Sequence, residues 1–164
     1  MLTENTVSKL HEMKLSVMAQ SFREQMTNQE LVGLSFEDRF SLIVDSEWAS
    51  RKSNRLNRLI RNAEYAIPGA SIENLEYSAD RNLDKALISR LSSCAYVLEA
   101  NNVIILGATG VGKTYVASAL GMAANRSCYA VKYSRLPDLL AELAISRGDG
   151  TYRKVMKNTS SLNC

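Results

Sequence analysis

The sequence contains few residues of the kinds that form disulfide frameworks, metal sites or catalytic triads. Its 164 residues include three cysteines and a single histidine, His11. Cys94, Cys128 and Cys164 are too widely spaced to form a Cys-x-x-Cys pair, and His11 has no triad signature near it. We therefore expect ordinary thiols in a reducing cytoplasm.

The sequence also lacks long apolar runs. None approaches the ~18–20 residues that a membrane-spanning helix needs. The first residues, Met1–Asn5, have neither the basic nor the apolar region of a signal peptide. Hydrophobic residues make up 46% and charged residues 23% of the chain, which is typical of a globular protein. These features predict a soluble, cytoplasmic protein.

The most informative motif that is present lies in the second half of the chain. The apolar run Val103–Leu106 leads directly into a glycine-rich loop, which consists of Gly107, Ala108, Thr109, Gly110, Val111, Gly112, Lys113 and Thr114. In the pattern Gly-x-x-x-x-Gly-Lys-Thr, the glycines allow positive φ and close approach of the backbone to a phosphate. We expect Gly107, Gly110 and Gly112 to serve in this way.

The two residues that end this motif have chemical roles of their own. A helix predicted from Lys113 onward directs its positive end and its free N–H groups at an anion. The Lys113 ammonium is expected to contact the β- and γ-phosphates, and the Thr114 hydroxyl to occupy one position on Mg²⁺. The loop therefore predicts binding of a nucleoside triphosphate such as ATP.

An acidic residue for ATP hydrolysis is missing from the segment that follows the loop. Phosphate-loop nucleotidases need a later strand that ends in an acid, which positions Mg²⁺ and the attacking water. The later apolar stretches, Cys128–Tyr133 and Leu136–Ile145, do not end in adjacent acids. The earlier run Phe40–Glu47 has acids at its end, Asp45 and Glu47, but its apolar residues have helical spacing. We therefore predict no catalytic residues and no useful hydrolysis.

A second candidate site is a row of cations upstream of the loop. It consists of Arg51, Lys52, Arg55, Arg58 and Arg61, with no acid among them. The arginines recur at helical spacing, with aliphatic residues largely on the other side of the predicted helix. Such a row could contact DNA phosphates, or it could be a solvated basic face. The sequence leaves both interpretations open.

Periodicity divides the chain into four segments. Residues 1–65 are predicted to form an N-terminal helical domain, with two short helices or one bent helix before a long helix that Ser35 and Asp38 cap. Residues 66–82 form a connector with a Pro68-Gly69 turn. Residues 83–157 are predicted to be α/β, with strands at 103–106 and 129–134, and residues 158–164 form a tail.

Together these motifs resemble the IstB-like ATP-binding proteins, which assist insertion-sequence transposition and are related to DnaC-like helicase loaders. The resemblance rests on Leu34–Phe40, the arginine-rich helix, Ile72–Tyr77, the loop 107–114 and Leu139–Leu143. It implies an AAA+-type ATPase that takes ATP and Mg²⁺, assembles as a homo-oligomer on DNA and activates or targets a transposase. It assigns Gly107–Thr114 to the nucleotide loop. The family's Walker B acids, sensor and arginine finger have no counterpart in this chain.

The expected fold is thus α/β: an incomplete, AAA+-like P-loop NTPase core preceded by a helical domain. Because the tail 158–164 does not resemble the family, we expect a C-terminally truncated copy that binds nucleotide without the hydrolytic half. Two strands are too few for an ordinary sheet, so their apolar faces are expected to remain open to water. A DnaC-like replicative helicase loader, or a DNA-binding helical module with a vestigial loop, remain the alternatives.

Overall fold

The computed structural model describes residues 2–78 and 83–160. Within these residues the regular structure is helical. A 3-10 helix spans Gln29–Gly33, and the α-helices are α1 (Leu2–Glu12), α2 (Ser16–Thr27), α3 (Phe36–Ala63), α4 (Lys85–Ser92), α5 (Ala95–Leu98), α6 (Lys113–Arg126), α7 (Leu136–Gly148) and α8 (Tyr152–Ser160). In this part of the chain no helix is both long and apolar enough to cross a membrane.

The chain divides into two compact units, Met1–Arg55 and Leu56–Cys164. The division falls within α3, which runs without interruption through both. The domain limits that we proposed from the sequence, at residues 65 and 82, remain predictions.

The first unit begins with two separate helices, which resolves the alternative that the sequence left open. α3 then starts at the predicted cap. The Ser35 hydroxyl accepts a hydrogen bond from the Asp38 N–H at 3.1 Å and donates one to the Asp38 carboxylate at 2.7 Å. This reciprocal arrangement satisfies an N–H group that has no acceptor within the helix, so the cap at Ser35 is confirmed.

The buried carboxylate of Glu47 joins α3 to the start of α2. It accepts hydrogen bonds from the N–H groups of Val17 at 3.1 Å and Met18 at 2.9 Å, and from Arg51 at 2.7 Å. The hydrogen bond from Arg51, followed by that from Met18, lowers the pKa of Glu47 despite its burial. Glu47 therefore stabilises this unit at pH values above the ordinary carboxyl pKa of 4.5. This stabilisation is lost when the pH falls through the lowered pKa of Glu47.

The second unit is organised around α6. Much of this helix is buried beyond its first turn, and its buried residues are Ser118, Ala119, Leu120, Ala123, Ala124 and Asn125. Most of them are small, which allows neighbouring segments to approach the helix closely. α4 packs against α6, and its Ile88 is 3% exposed. α6 thus holds the glycine-rich loop on a buried support.

The two predicted strands are not confirmed, and with them the α/β class. Residues 103–106 and 129–134 belong to no helix or strand. A strand needs a neighbour to pair its N–H and C=O groups, and no strand occurs among residues 2–78 and 83–160. Tyr133 instead donates its N–H to the Ala63 carbonyl at 2.8 Å. Ile104 and Leu106 remain 80% and 87% exposed, as expected for apolar residues without a covering layer.

The segment 83–97 forms two helices, although the spacing of Leu83, Leu87, Leu91 and Val97 suits a single one. α4 is capped by Asp84, whose carboxylate accepts from the Ala86 and Leu87 N–H groups at 2.8 and 3.3 Å. Cys94, with φ 61°, then separates α4 from α5. Left-handed backbone at a non-glycine residue ends a helix, and periodicity alone does not reveal it. α8 was not expected from the sequence.

Candidate functional site

The glycine-rich loop has the predicted positive φ at two of its three glycines. Gly110 and Gly112 have φ 85° and 91°, in the left-handed region that favours glycine. A Cβ at either position would have no heavy atom within 4 Å, so the concave side of the loop is open. Gly107 does not have positive φ, which corrects that expectation. Gly107 instead leaves room for the Val111 side chain, because a Cβ at position 107 would lie 3.0 Å from Val111 Cγ2.

Lys113, the first residue of α6, folds over this loop. Its Nζ donates hydrogen bonds to the carbonyl oxygens of Gly107 at 2.9 Å and Ala108 at 2.6 Å. The Lys113 side chain thereby links the end of the loop to its beginning. A positive charge fixed at this point attracts an anion that enters the loop.

The beginning of α6 supplies N–H groups for such an anion. Gly112 is the N-cap and no side chain caps the helix, and the first helical hydrogen bond runs from the Val116 N–H to the Gly112 carbonyl at 3.0 Å. The preceding N–H groups, up to Tyr115, have no acceptor within the helix. They coincide with the positive end of the helix dipole, and the exposed Thr114 stands beside them. The residues present therefore fit a phosphate group.

A cleft of about 380 Å³ adjoins the loop. Its walls are mainly apolar, and they include Leu75, Glu76, Leu83, Ile105, Val111 and Tyr115. The predicted connector therefore contributes to this cleft from one side. Tyr115 helps to position the connector, since its hydroxyl accepts a hydrogen bond from the Ser71 N–H at 3.4 Å. An apolar cleft with a few polar groups suits a planar organic ring next to the phosphates.

Buried hydrogen bonds fix α6 from behind. The Tyr65 hydroxyl donates to Asn125 Oδ1 at 2.7 Å, and Asn125 Nδ2 donates to the Tyr129 carbonyl at 2.9 Å. Asn125 is 0% exposed, and burial raises the pKa of Tyr65 well above its ordinary value. The Tyr65 ring lies so close to Gly121 that a Cβ there would be 2.7 Å from Tyr65 Cε1. The helix that carries the loop is therefore held in one position.

The sequence as a whole matches one protein family. The match to the IstB-like ATP binding proteins covers residues 8–163. The chain belongs to this family. The resemblance noted from the motifs is thereby confirmed, and the matched range includes residues 158–163 of the segment that we predicted to lie outside the family.

Individual relatives of this IstB-like chain are named for insertion sequences. A Pseudomonas fluorescens protein named for ATP binding in insertion sequence IS1162 is 37% identical over 99% of the chain and 71% of its own length. A similarly named Sinorhizobium fredii protein, y4pL, is 36% identical over 96% of the chain and 64% of its own length. A protein of insertion sequence IS21 from Pseudomonas aeruginosa is 26% identical over 96% of the chain and 58% of its own length. The chain thus spans between about three fifths and seven tenths of these relatives.

The cations predicted to contact DNA differ in their surroundings. In the first unit, Arg51 contacts Glu47 and donates a hydrogen bond to the Lys14 carbonyl at 2.8 Å, and the Lys52 ammonium lies 5.0 Å from the Trp48 ring centroid. These two cations therefore have structural partners. The others, Arg55, Arg58 and Arg61, are exposed and form no ion pair with the described residues.

Residues behind the loop of this IstB-like protein were missed at the sequence level. They include Tyr65, Gly121, Asn125 and Tyr129. Two features of the sequence could have suggested them. One is Gly121 inside the predicted helix, and the other is Asn125, which directly follows two alanines in the same helix. Glycine inside a helix often marks close packing of another group. The partner of that packing lies far away in sequence, so local patterns do not identify it.

Proposed function

We propose that this chain binds Mg·ATP in loop 107–114 and acts in the cytoplasm as the ATP-binding helper of an insertion-sequence transposase. The observation that carries the proposal is the open loop of Gly110 and Gly112, with Lys113 fixed over it at the start of α6. The names of the relatives, which refer to insertion sequences and ATP binding, support the same function.

In this proposal each group around the loop has one task. The free N–H groups at the start of α6 donate hydrogen bonds to the phosphate oxygens, and the adjoining cleft accommodates the base. Lys113 exchanges its hydrogen bonds to the Gly107 and Ala108 carbonyls for contacts with the phosphates. Thr114 provides a hydroxyl for Mg²⁺, whose chemistry is to neutralise phosphate charge. ATP binding therefore requires a local rearrangement of one side chain.

We further propose that the 164-residue chain binds ATP without turning it over. The acids that follow the loop are Asp138, Glu142 and Asp149. The first two lie within α7 and the third directly follows it, so none ends the segment 129–134 that was predicted as a strand. Phosphoryl transfer depends on groups positioned around the transferred phosphate, and an arginine finger alone is worth ~10³–10⁵ in rate.

For hydrolysis we expect phosphate release by the purified chain to equal that of Lys113→Ala. The measurement is steady-state release of inorganic phosphate at saturating Mg·ATP, followed with and without duplex DNA. Turnover that disappears in Lys113→Ala would show that the chain has a complete hydrolytic site.

DNA contact is assigned to the exposed end of the arginine row. Arg58 and Arg61 lie in the second unit and have no ion-pair partner among the described residues. Guanidinium groups that are already exposed pay little desolvation when they meet phosphates, and the binding releases counterions. We therefore propose weak, sequence-tolerant binding to duplex DNA.

For DNA binding we expect the double substitution Arg58→Ala and Arg61→Ala to flatten the slope of log K against log salt by about two units. The measurement is fluorescence anisotropy of a labelled duplex across a salt series. Arg23→Ala with Arg153→Ala is the matched control, because it removes the same charge from exposed positions elsewhere. Equal slopes for both double variants would identify the arginine row as a solvated face.

The partner is tested by comparing a transposase with a replicative helicase. We expect the chain to be retained by the transposase encoded with its insertion sequence, more strongly with Mg·ATP than without nucleotide. Retention by the helicase and not by the transposase would favour the DnaC-like loader. In either case Lys113→Ala is expected to remove the nucleotide dependence.

A further inference from the structure

One face of α3 in the first unit exposes large apolar side chains. Phe36, Phe40, Val44 and Trp48 recur every four residues and are 75%, 53%, 38% and 63% exposed. The rings of Phe36 and Phe40 stack with their centroids 6.0 Å apart. Residues at i and i+4 lie on the same side of a helix, so these side chains form one continuous patch, the aromatic face.

The core residues of the unit on this helix border the aromatic face. Ile43 and Glu47 are each 7% exposed, and Glu47 bonds to the start of α2. The aromatic face is therefore additional apolar surface that the unit itself does not cover. A contiguous apolar patch of this kind is typical of an interaction site.

Charge along the aromatic face changes sign from one end to the other. Glu37 lies at the N-terminal end, whereas Lys52 and Arg55 lie at the C-terminal end. Two copies of α3 side by side in parallel would place like charges together. In an antiparallel pair, Glu37 of each copy would face the basic end of the other.

We propose that the aromatic face binds a second copy of the chain, with the two α3 helices antiparallel about a two-fold axis at Val44. In this register Val44 meets Val44 of the second copy, and Phe40 meets Trp48. Glu37 lies opposite Arg51, and Arg55 follows one turn further along the helix of the second copy. Arg51 already contacts Glu47 within its own copy, so Arg55 is the partner available to Glu37.

The area of the aromatic face is sufficient for a dimer of moderate affinity. The exposed parts of three aromatic rings and a valine provide roughly 450 Å² of apolar surface per copy. The stems of the flanking charged residues bring the total for both copies to about 1,200–1,400 Å², at the lower end of specific interfaces. We therefore expect a dissociation constant on the order of micromolar.

Duplex DNA is a poorer occupant of the aromatic face. Glu37 would repel phosphates, and a phosphate backbone offers no apolar surface to cover Phe40 and Trp48. Arg58 and Arg61 lie beyond the turns that pair, so they remain free to contact DNA. Self-association and DNA binding are accordingly assigned to different parts of α3.

Sedimentation equilibrium of the full chain tests the pairing directly. Trp48 is the single tryptophan, so its fluorescence should shift to shorter wavelength as protein concentration rises through the dissociation constant. Val44→Glu places two carboxylates at the axis and is expected to raise that constant at least tenfold. Leu42→Glu is the matched control, because Leu42 is similarly exposed, at 45%, on a different face of α3. The dissociation constant of the Leu42→Glu dimer should match that of the original chain.

A charge exchange tests the orientation. Glu37→Arg alone and Arg55→Glu alone should each weaken the dimer, because every Glu37–Arg55 contact becomes a like-charge pair. An equimolar mixture of the two variants should recover association, since both contacts then join opposite charges. The double variant Glu37→Arg with Arg55→Glu should also dimerise. A parallel pair would instead predict no change in the single variants, because residue 37 would still meet residue 37 of like charge, and residue 55 would meet residue 55. A monomer at all concentrations to ~100 µM, or equal effects of Val44→Glu and Leu42→Glu, would overturn the proposal.

Discussion

Lys113→Ala is expected to abolish detectable binding of Mg·ATP, with a loss of at least ~100-fold in affinity. The substitution removes the ammonium group held over the loop, where it donates to the Gly107 and Ala108 carbonyls. It deletes the point charge that would meet the phosphates and also loosens the two ends of the loop. The measurement is titration calorimetry, or anisotropy of a fluorescent ATP analogue.

Lys132→Ala is the appropriate control for this experiment. Lys132 belongs to the same unit, is exposed and forms an ion pair with Glu64 at its surface. Removing it changes the net charge by the same amount, and surface ion pairs contribute only ~0–1 kcal/mol to stability. ATP affinity should therefore be retained. Identical titration curves for Lys113→Ala and the original chain would refute the assignment of the loop.

Asn125→Ala is expected to destabilise the second unit by about 2–4 kcal/mol. Asn125 is completely buried, accepts a hydrogen bond from the Tyr65 hydroxyl and donates one to the Tyr129 carbonyl. Alanine would leave the buried Tyr65 hydroxyl and the half-buried Tyr129 carbonyl without this partner, and unpaired buried polar groups cost ~1–3 kcal/mol each. The measurement is urea unfolding followed by circular dichroism.

Asn54→Ala provides the comparison for this effect. Asn54 also lies within an α-helix, but it is exposed, and among the described residues its side chain forms a hydrogen bond only with Ser50, at 3.4 Å. Its replacement should change the free energy of unfolding by less than ~0.5 kcal/mol, because substitutions at exposed positions usually have small effects. Equal effects of the two substitutions would mean that the buried hydrogen bonds behind α6 contribute nothing to stability.

Some features of this protein follow from short stretches of sequence. The cap of α3 depends on Ser35 and Asp38, three residues apart, and formed as predicted. The left-handed backbone at Gly110 and Gly112 followed from the glycine-rich motif. These features depend on groups within one or two turns of chain, so their geometry is determined locally. The family resemblance extended the same information across most of the chain.

Other features were decided by contacts between residues distant in sequence. The segments 103–106 and 129–134 have strand-like composition, but a strand forms only when a second strand pairs with it. Arg51 appeared equivalent to Arg58 in the pattern, yet Glu47 and the Lys14 carbonyl engage it.

The hydrogen bonds behind the loop depended on tertiary structure in the same way. Tyr65 and Asn125 are 60 positions apart along the chain, so no local pattern links them. Residue type and spacing therefore determined the loop and its expected ligand. Packing in three dimensions decided which polar groups are partnered and buried, because burial and hydrogen bonding depend on neighbours that only the folded chain brings together.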